Sequence, residues 1–387
     1  MRVAYIIGNG FDISMGLKTS YSDFYNFIRK HKTTEQINNN CLYKNINANI
    51  DLWKDFEIAM GLYTFINTKE FDEKLKKAEN NVINNLKNTK DETFNYALFN
   101  HSFQEFNEDF LNYIENQERL FFKRLTEDET MQIINGLADF SSNVTTSWKK
   151  NIAETMRTFH NDTKLLEIDI INFNYTNTLG YILNRSVDIQ ENIIKTFKEA
   201  WGNIINFVKI NEIHIHGEIQ EGSAIGVNDL TQINMEAIGD AEEAQNYVKQ
   251  HIVNSYDDKR IDRAKLIIDQ CDFIIIFGCS LGSTDKIWWE YIIQSMERDQ
   301  TKNIILHDYD ESRHQNVRYA QLFNRENEIS RNKLMKFTPE PLKHNIEEIN
   351  KIKRRIFPVI NGELFTRKNS QIKEFVTKGL IYPQLRK

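Results

Sequence analysis

An α/β protein built on a parallel sheet, with a large helical insertion after its first strand, is the fold class this 387-residue sequence predicts. Three observations lead there. Short apolar runs rich in β-branched residues recur, each ending in turn residues, as strands buried on both faces do. They are 3–10 (VAYIIGNG), 168–174 (IDIINFN), 212–217 (EIHIHG), 224–228 (AIGVN), 273–280 (FIIIFGCS) and 303–308 (NIILHD). A helical pattern at 284–296 (TDKIWWEYIIQSM) separates the last two and makes a β-α-β unit. Between the first two, residues 20–160 hold no Pro and show helical spacing, as in Phe103, Phe106, Phe110, Tyr113 and Ile114.

The elements follow in order. Residues 1–19 supply the first strand and its glycine turn. Residues 20–160 form the helical insertion, opened by Ser20-Tyr21-Ser22-Asp23, close to a capping box, with Phe24, Phe27 and Ile28 on one face. Residues 161–338 complete the sheet. All four prolines stand at 339, 341, 358 and 383, which places a boundary near Thr338. The segment 339–387 reads as two helices, HNIEEINKIKRRIF and SQIKEFVTKGL.

Composition narrows the function. Hydrophobic content of 40% and charged content of 27% suit a folded soluble chain, and no run reaches the roughly 18 apolar residues a membrane span requires. Asn9 and Asp12 interrupt the first apolar run before a signal-peptide core could form, so a cytoplasmic location is expected. Three cysteines, Cys41, Cys271 and Cys279, make neither a disulfide framework nor a C-x-x-C metal pair. A net charge of −6 makes nucleic acid an unlikely partner for the whole molecule. From Lys343 onward, however, eleven Lys and Arg face four Glu. That segment reads as a solvated basic surface or as a docking surface for nucleic acid or an acidic partner.

The unusual residues cluster at the carboxyl ends of the predicted strands, where open α/β sheets form their ligand crevice. The clusters are Gly8-Asn9-Gly10-Phe11-Asp12, Asn174-Tyr175-Thr176-Asn177, His216-Gly217-Glu218, Val227-Asn228-Asp229, and the run from Gly278 to Asp285. The Gly8-Asn9-Gly10 turn lacks the third glycine of a dinucleotide fingerprint and the acid about 20 residues on. It suits either an ordinary strand-to-helix turn or one whose bare backbone amides approach a phosphate or ribose, with Asp12 for hydroxyls. Gly278-Cys279-Ser280 repeats that logic as a wall for a nucleotide, while Thr284 and Asp285 suit helix capping. Cys279 reads as a small buried residue, since nothing nearby depresses its pKa.

On a strand, His214 and His216 would share one face. A metal pair, a general base at His216 and a structural histidine are the three readings; a zinc site would need a third ligand that the sequence does not indicate, and no metal is predicted. Asn174, at a buried strand end, must satisfy both donor and acceptor, by fixing a loop or by holding a ligand. The remaining histidines, His307 among them, read as surface or packing residues.

In order, GNGFD, the run from Gly16 to Phe24 (GLKTSYSDF), Trp53-Lys54-Asp55-Phe56-Glu57, Phe173-Asn174-Tyr175-Thr176, Ile215-His216-Gly217 and GCSLGSTD resemble the AbiH family of bacterial phage-resistance, or abortive infection, proteins. More remotely the series is similar to the sirtuin-like, Rossmann-like fold that binds NAD. That resemblance assigns Gly8 and Gly10 to the opening turn and Gly16-Leu17 to the next piece, with Lys18 in place of Pro. It makes Asn174 the strand-end Asn, His216-Gly217 the His-Gly that supplies the base, and Gly278-Cys279-Ser280 the Gly-x-Ser along the ribose. Asn9 replaces a small residue, and Thr176 stands where an acid is frequent. It implies NAD or NADP as substrate or ligand, with Asn174 and His216 catalytic and Gly8, Asn9, Gly10, Asp12, Thr176, Gly217, Gly278, Ser280 and Asp285 around the nucleotide. The expected function is phage defence through NAD(P) hydrolysis, with a non-catalytic nucleotide sensor as the alternative and nucleic-acid targeting below it. A homo-oligomer, a phage-derived trigger and a defence partner are the expected associations. The deacylating members' four-cysteine zinc module has no counterpart in three cysteines.

Overall fold

In the computed structural model the first strand, β1 (Arg2–Ile7), sends Val3, Tyr5 and Ile7 into one apolar cluster and Ala4 and Ile6 into another. This is the two-residue alternation of a strand covered on both faces. The structure describes residues 1–48, 50–66, 68–71, 93–158, 164–185, 188–202, 205–220, 222–256, 259–313 and 319–365. β1 is joined by β2 (Leu165–Asn172), β3 (Phe207–His214), β4 (Phe273–Phe277), β5 (Asn303–Asp308) and β6 (Ile356–Ile360) in one parallel sheet. Its order is β3-β2-β1-β4-β5-β6. The chain therefore builds outward from β1 on one side, then restarts beside it with β4. That is the doubly wound arrangement whose switch point lies between the first and fourth strands.

Helices cover both faces. Ile133, Leu137 and Ile152 from the end of the insertion pack with Leu179 and Ile193 on one face, and Ile268, Trp289, Ile292 and Leu334 pack on the other. The rest of the insertion has its own core. There Phe24, Trp53, Phe56 and Phe106 are fully buried and the Phe56 and Phe106 rings stack at 3.9 Å. The helix Tyr21–His31 starts at Ser20, whose hydroxyl accepts the Asp23 amide at 3.1 Å, as the sequence led us to expect.

Three local expectations are corrected. The run AIGVN adds no strand to the sheet: Val227 makes one isolated bridge, to Val248, and Ile225, Val227, Tyr247 and Val248 pack in the insertion's core. Residues assigned to the sheet half thus cover the insertion. The run EIHIHG is not one strand, because β3 ends at His214 and Gly217 adopts a left-handed φ of +79°. The segment after Thr338 is not purely helical. A helix, Ile346–Arg354, leads into β6, whose Pro358 is tolerated because β6 lies at the sheet edge. SQIKEFVTKGL lies outside the described residues.

Candidate functional site

The glycine turns after β1 and β4 are built against each other. The amide of Gly8 donates to the Phe277 carbonyl at 2.9 Å and that of Gly10 to the Gly278 carbonyl at 2.8 Å. A Cβ on Gly8 would lie 2.7 Å from the Gly278 oxygen, and one on Gly10 would lie 2.5 Å from the Gly278 α-carbon. Gly278 itself has a φ of +72°. The missing side chains therefore admit the opposite turn. The two amides expected to face a phosphate are spent on that contact, which locks the switch point shut at backbone level. Asn9 is exposed and holds the following loop, donating to the Thr19 carbonyl at 3.1 Å and accepting the Thr19 hydroxyl at 2.5 Å.

Beside this junction the loops after β1 and β2 are tied by charge and hydroxyl. Asp12, 1% exposed, accepts the Thr176 hydroxyl on Oδ2 at 2.6 Å, while its Oδ1 has no hydrogen-bond partner. Burial pushes its carboxyl up to about 7 against the pull of the Thr176 and Thr178 hydroxyls. Asn174 is 4% exposed, and neither its amide nitrogen nor its side-chain oxygen finds a partner. Its backbone is held from both sides: the amide donates to Asn172 Oδ1 at 2.9 Å, and His214 Nδ1 donates to the carbonyl at 3.0 Å. Burial alone would lower the His214 pKa, but Glu212, Glu218 and that carbonyl outweigh it and raise it.

His214 and His216 do not share a face, because the chain turns after His214. His216 points instead to Asp285, with Nε2 and Oδ1 3.1 Å apart. Phe173 and Tyr175, on either side of Asn174, both pack their rings against His216, at 5.3 and 6.4 Å. Burial and the Lys249 charge lower the His216 pKa, so the ring is neutral near pH 7. Asp285 is held below its ordinary range: Lys249 and His216 overcome the effect of burial. An ionised carboxylate can only accept, so the proton of the neutral ring is on Nε2 and the lone pair on Nδ1, which has no partner.

Lys249 was not legible as a site residue. Its ammonium lies 2.6 Å from Glu57 Oε2 and 3.7 Å from Asp285 Oδ1, with the Lys249 and Glu57 side chains 7% and 9% exposed. Burial raises the Glu57 pKa against the pull of Lys249, and the nearby Asp285 and Asp55 charges add to it. The Trp53-Lys54-Asp55-Phe56-Glu57 run carried only the family resemblance, so Glu57 was not read as a site residue either, and nothing local marks Lys249. The structure thus brings Asp12, Asn174, Thr176, His216 and Asp285 to one edge with the Gly8, Gly10 and Gly278 turns. Gly217 serves the chain reversal, where a Cβ would strike the Gly222 carbonyl, and Ser280 is exposed. The Cys279 thiol is pushed up by burial, in keeping with an inert packing residue.

A doubly wound parallel sheet whose strand-end loops close over buried polar side chains defines a Rossmann-like α/β protein with a sheltered polar site. The family model described as Bacteriophage abortive infection AbiH matches residues 4–308, and the chain belongs to that family. Its function lies in phage abortive infection. No curated protein matches the chain. No helix among the described residues is long and apolar enough to cross a membrane.

Proposed function

We propose that the chain acts in phage defence by hydrolysing NAD(P) at the bond between nicotinamide and ribose. The observation that supports this most is that buried polar atoms at the strand ends lack partners: both side-chain atoms of Asn174 and Nδ1 of His216. Each such atom costs about 1–3 kcal/mol. At strand ends beside a switch point, such atoms offer the kind of donors and acceptors that a ribose or a water molecule takes. The fit lies on the sugar side, since the glycine amides are engaged within the protein.

In this reading Asn174 orients the ribose or the attacking water, with one donor and one acceptor. His216 Nδ1 takes the proton as the water oxygen bonds to the anomeric carbon. The carbon–nitrogen bond breaks with its electron pair leaving on nicotinamide, and the proton passes from His216 to solvent. Positioning and a matched base carry such a reaction, whose transition state resembles an oxocarbenium ion. Incubating purified protein with NAD or NADP, with and without phage lysate, and separating the products by chromatography tests it. Nicotinamide release from wild type, lost in Asn174→Ala and His216→Ala, is the expected result; no release under any condition overturns hydrolysis.

A nucleotide-binding sensor is the second reading. The burial of His216, whose side chain is 8% exposed, favours it, because a sealed base suits binding without turnover. Tight nucleotide binding with no nicotinamide from any sample selects it.

A further inference from the structure

We infer that Lys249 is a positioning residue for His216, fixing through Asp285 which ring nitrogen keeps its lone pair. The inference rests on His216 being the base of the proposed reaction. Four side chains from distant parts of the chain form a line: Glu57 Oε2 and Lys249 Nζ at 2.6 Å, Lys249 Nζ and Asp285 Oδ1 at 3.7 Å, and Asp285 Oδ1 and His216 Nε2 at 3.1 Å. Glu57 belongs to the insertion helix Phe56–Tyr63, Lys249 opens the helix Lys249–Tyr256, and Asp285 precedes the helix Lys286–Arg298. The charged and titratable groups around His216 are Asp285 and Lys249, with Glu57, Asp55 and Tyr175 behind them.

A buried carboxylate keeps its charge only beside a compensating cation. With Lys249 present, Asp285 is ionised and accepts the Nε2 proton, leaving the Nδ1 lone pair free. Without that ammonium, Asp285 sits near a second acid, Glu57, away from water, and takes up a proton. A protonated Asp285 donates to Nε2, so the neutral ring must carry its proton on Nδ1. The unpartnered atom then becomes a donor, and the base is lost although no atom of His216 has changed. Lys249 touches no reacting atom in this scheme. It selects the tautomer, and Glu57 holds the ammonium in place.

The tautomer can be read without any turnover. In protein carrying ¹⁵N-histidine, long-range proton–nitrogen correlations for His216 should show Nε2–H in wild type and in Lys249→Arg, and Nδ1–H in Lys249→Met. Because Lys249→Met alone strands two buried acids, Lys249→Met with Glu57→Gln provides a second, less charged background with the same expected change. If nicotinamide release is observed, it should fall about a hundredfold in Lys249→Met with KM little changed. A tautomer unaltered by removing Lys249, or Nδ1–H already present in wild type, overturns the inference. A tautomer that switches while no sample releases nicotinamide keeps the inference and overturns hydrolysis.

Discussion

Gly10 and Gly278 touch backbone to backbone: a methyl group on Gly10 would lie 2.5 Å from the Gly278 α-carbon. The contact joins the turns after β1 and β4 at the place where the sheet changes direction.

Substitution there should be costly in proportion to what each glycine does. Gly10→Ala must push the turns apart, at about 1–3 kcal/mol for overpacking. Gly278→Ala adds a left-handed backbone penalty of roughly 1–2 kcal/mol. Gly202 is the control, with a φ of +65° and nothing within 4 Å of a built Cβ, so Gly202→Ala carries the backbone term alone. Urea unfolding midpoints should fall in the order Gly202→Ala, Gly10→Ala, Gly278→Ala.

Asp12 should make stability depend on pH in the direction unusual for an acid. Its folded pKa is raised from 3.8 to about 7, so its contribution is fully present below about 4 and is lost as pH rises through 7. Asp12→Asn removes that loss. The variant should be more stable than wild type at pH 8, by as much as roughly 4 kcal/mol, and the difference should shrink towards pH 5. Thermal unfolding at the two pH values checks it; a constant difference would contradict the burial argument.

His214 should depend on pH in the same direction, for a different reason: it is the charged form that the fold favours. Burial lowers its pKa, but Glu212, Glu218 and the Asn174 carbonyl win and raise it. The stability it contributes by being charged is therefore present below its ordinary pKa of about 6.5 and is lost as pH rises through the folded value. His214→Gln should destabilise more at pH 5.5 than at pH 8.5, measured by urea unfolding. Because His214 holds the Asn174 backbone, the same variant should also weaken whatever Asn174 binds.

The sheet was legible where both faces of a strand are covered. β1 and β4 carry unbroken apolar runs for that reason, as the middle of β5 does, while β2 is interrupted by Glu167 and Asp169. The edge strands were not. β3 is half-buried along most of FVKINEIH and only its last three residues fell within the predicted run EIHIHG, and β6 contains Pro358, which reads as a breaker until the edge position is known. AIGVN misled in the other direction, since apolar residues that fill the insertion's core look like those that fill a sheet. For the site, the strand-end clusters were visible because Asn174, Asp12 and His216 are polar residues at the close of apolar runs. Lys249 and its partners were hidden because a single Lys reads as surface, and its pairing with Glu57 spans 192 positions. The glycine turns were marked correctly as places of close approach. What approaches is the other turn.

The central claim is that Asn174 and His216 face the sugar of a nucleotide. Titrating NAD into protein labelled with ¹³C at histidine Cε1, and following each assigned ring signal, tests this most directly. The account predicts saturable shifts at His216, weakened by Asn174→Ala, with His344 unmoved. A His216 signal unchanged at millimolar NAD, in wild type with and without phage lysate, would contradict it.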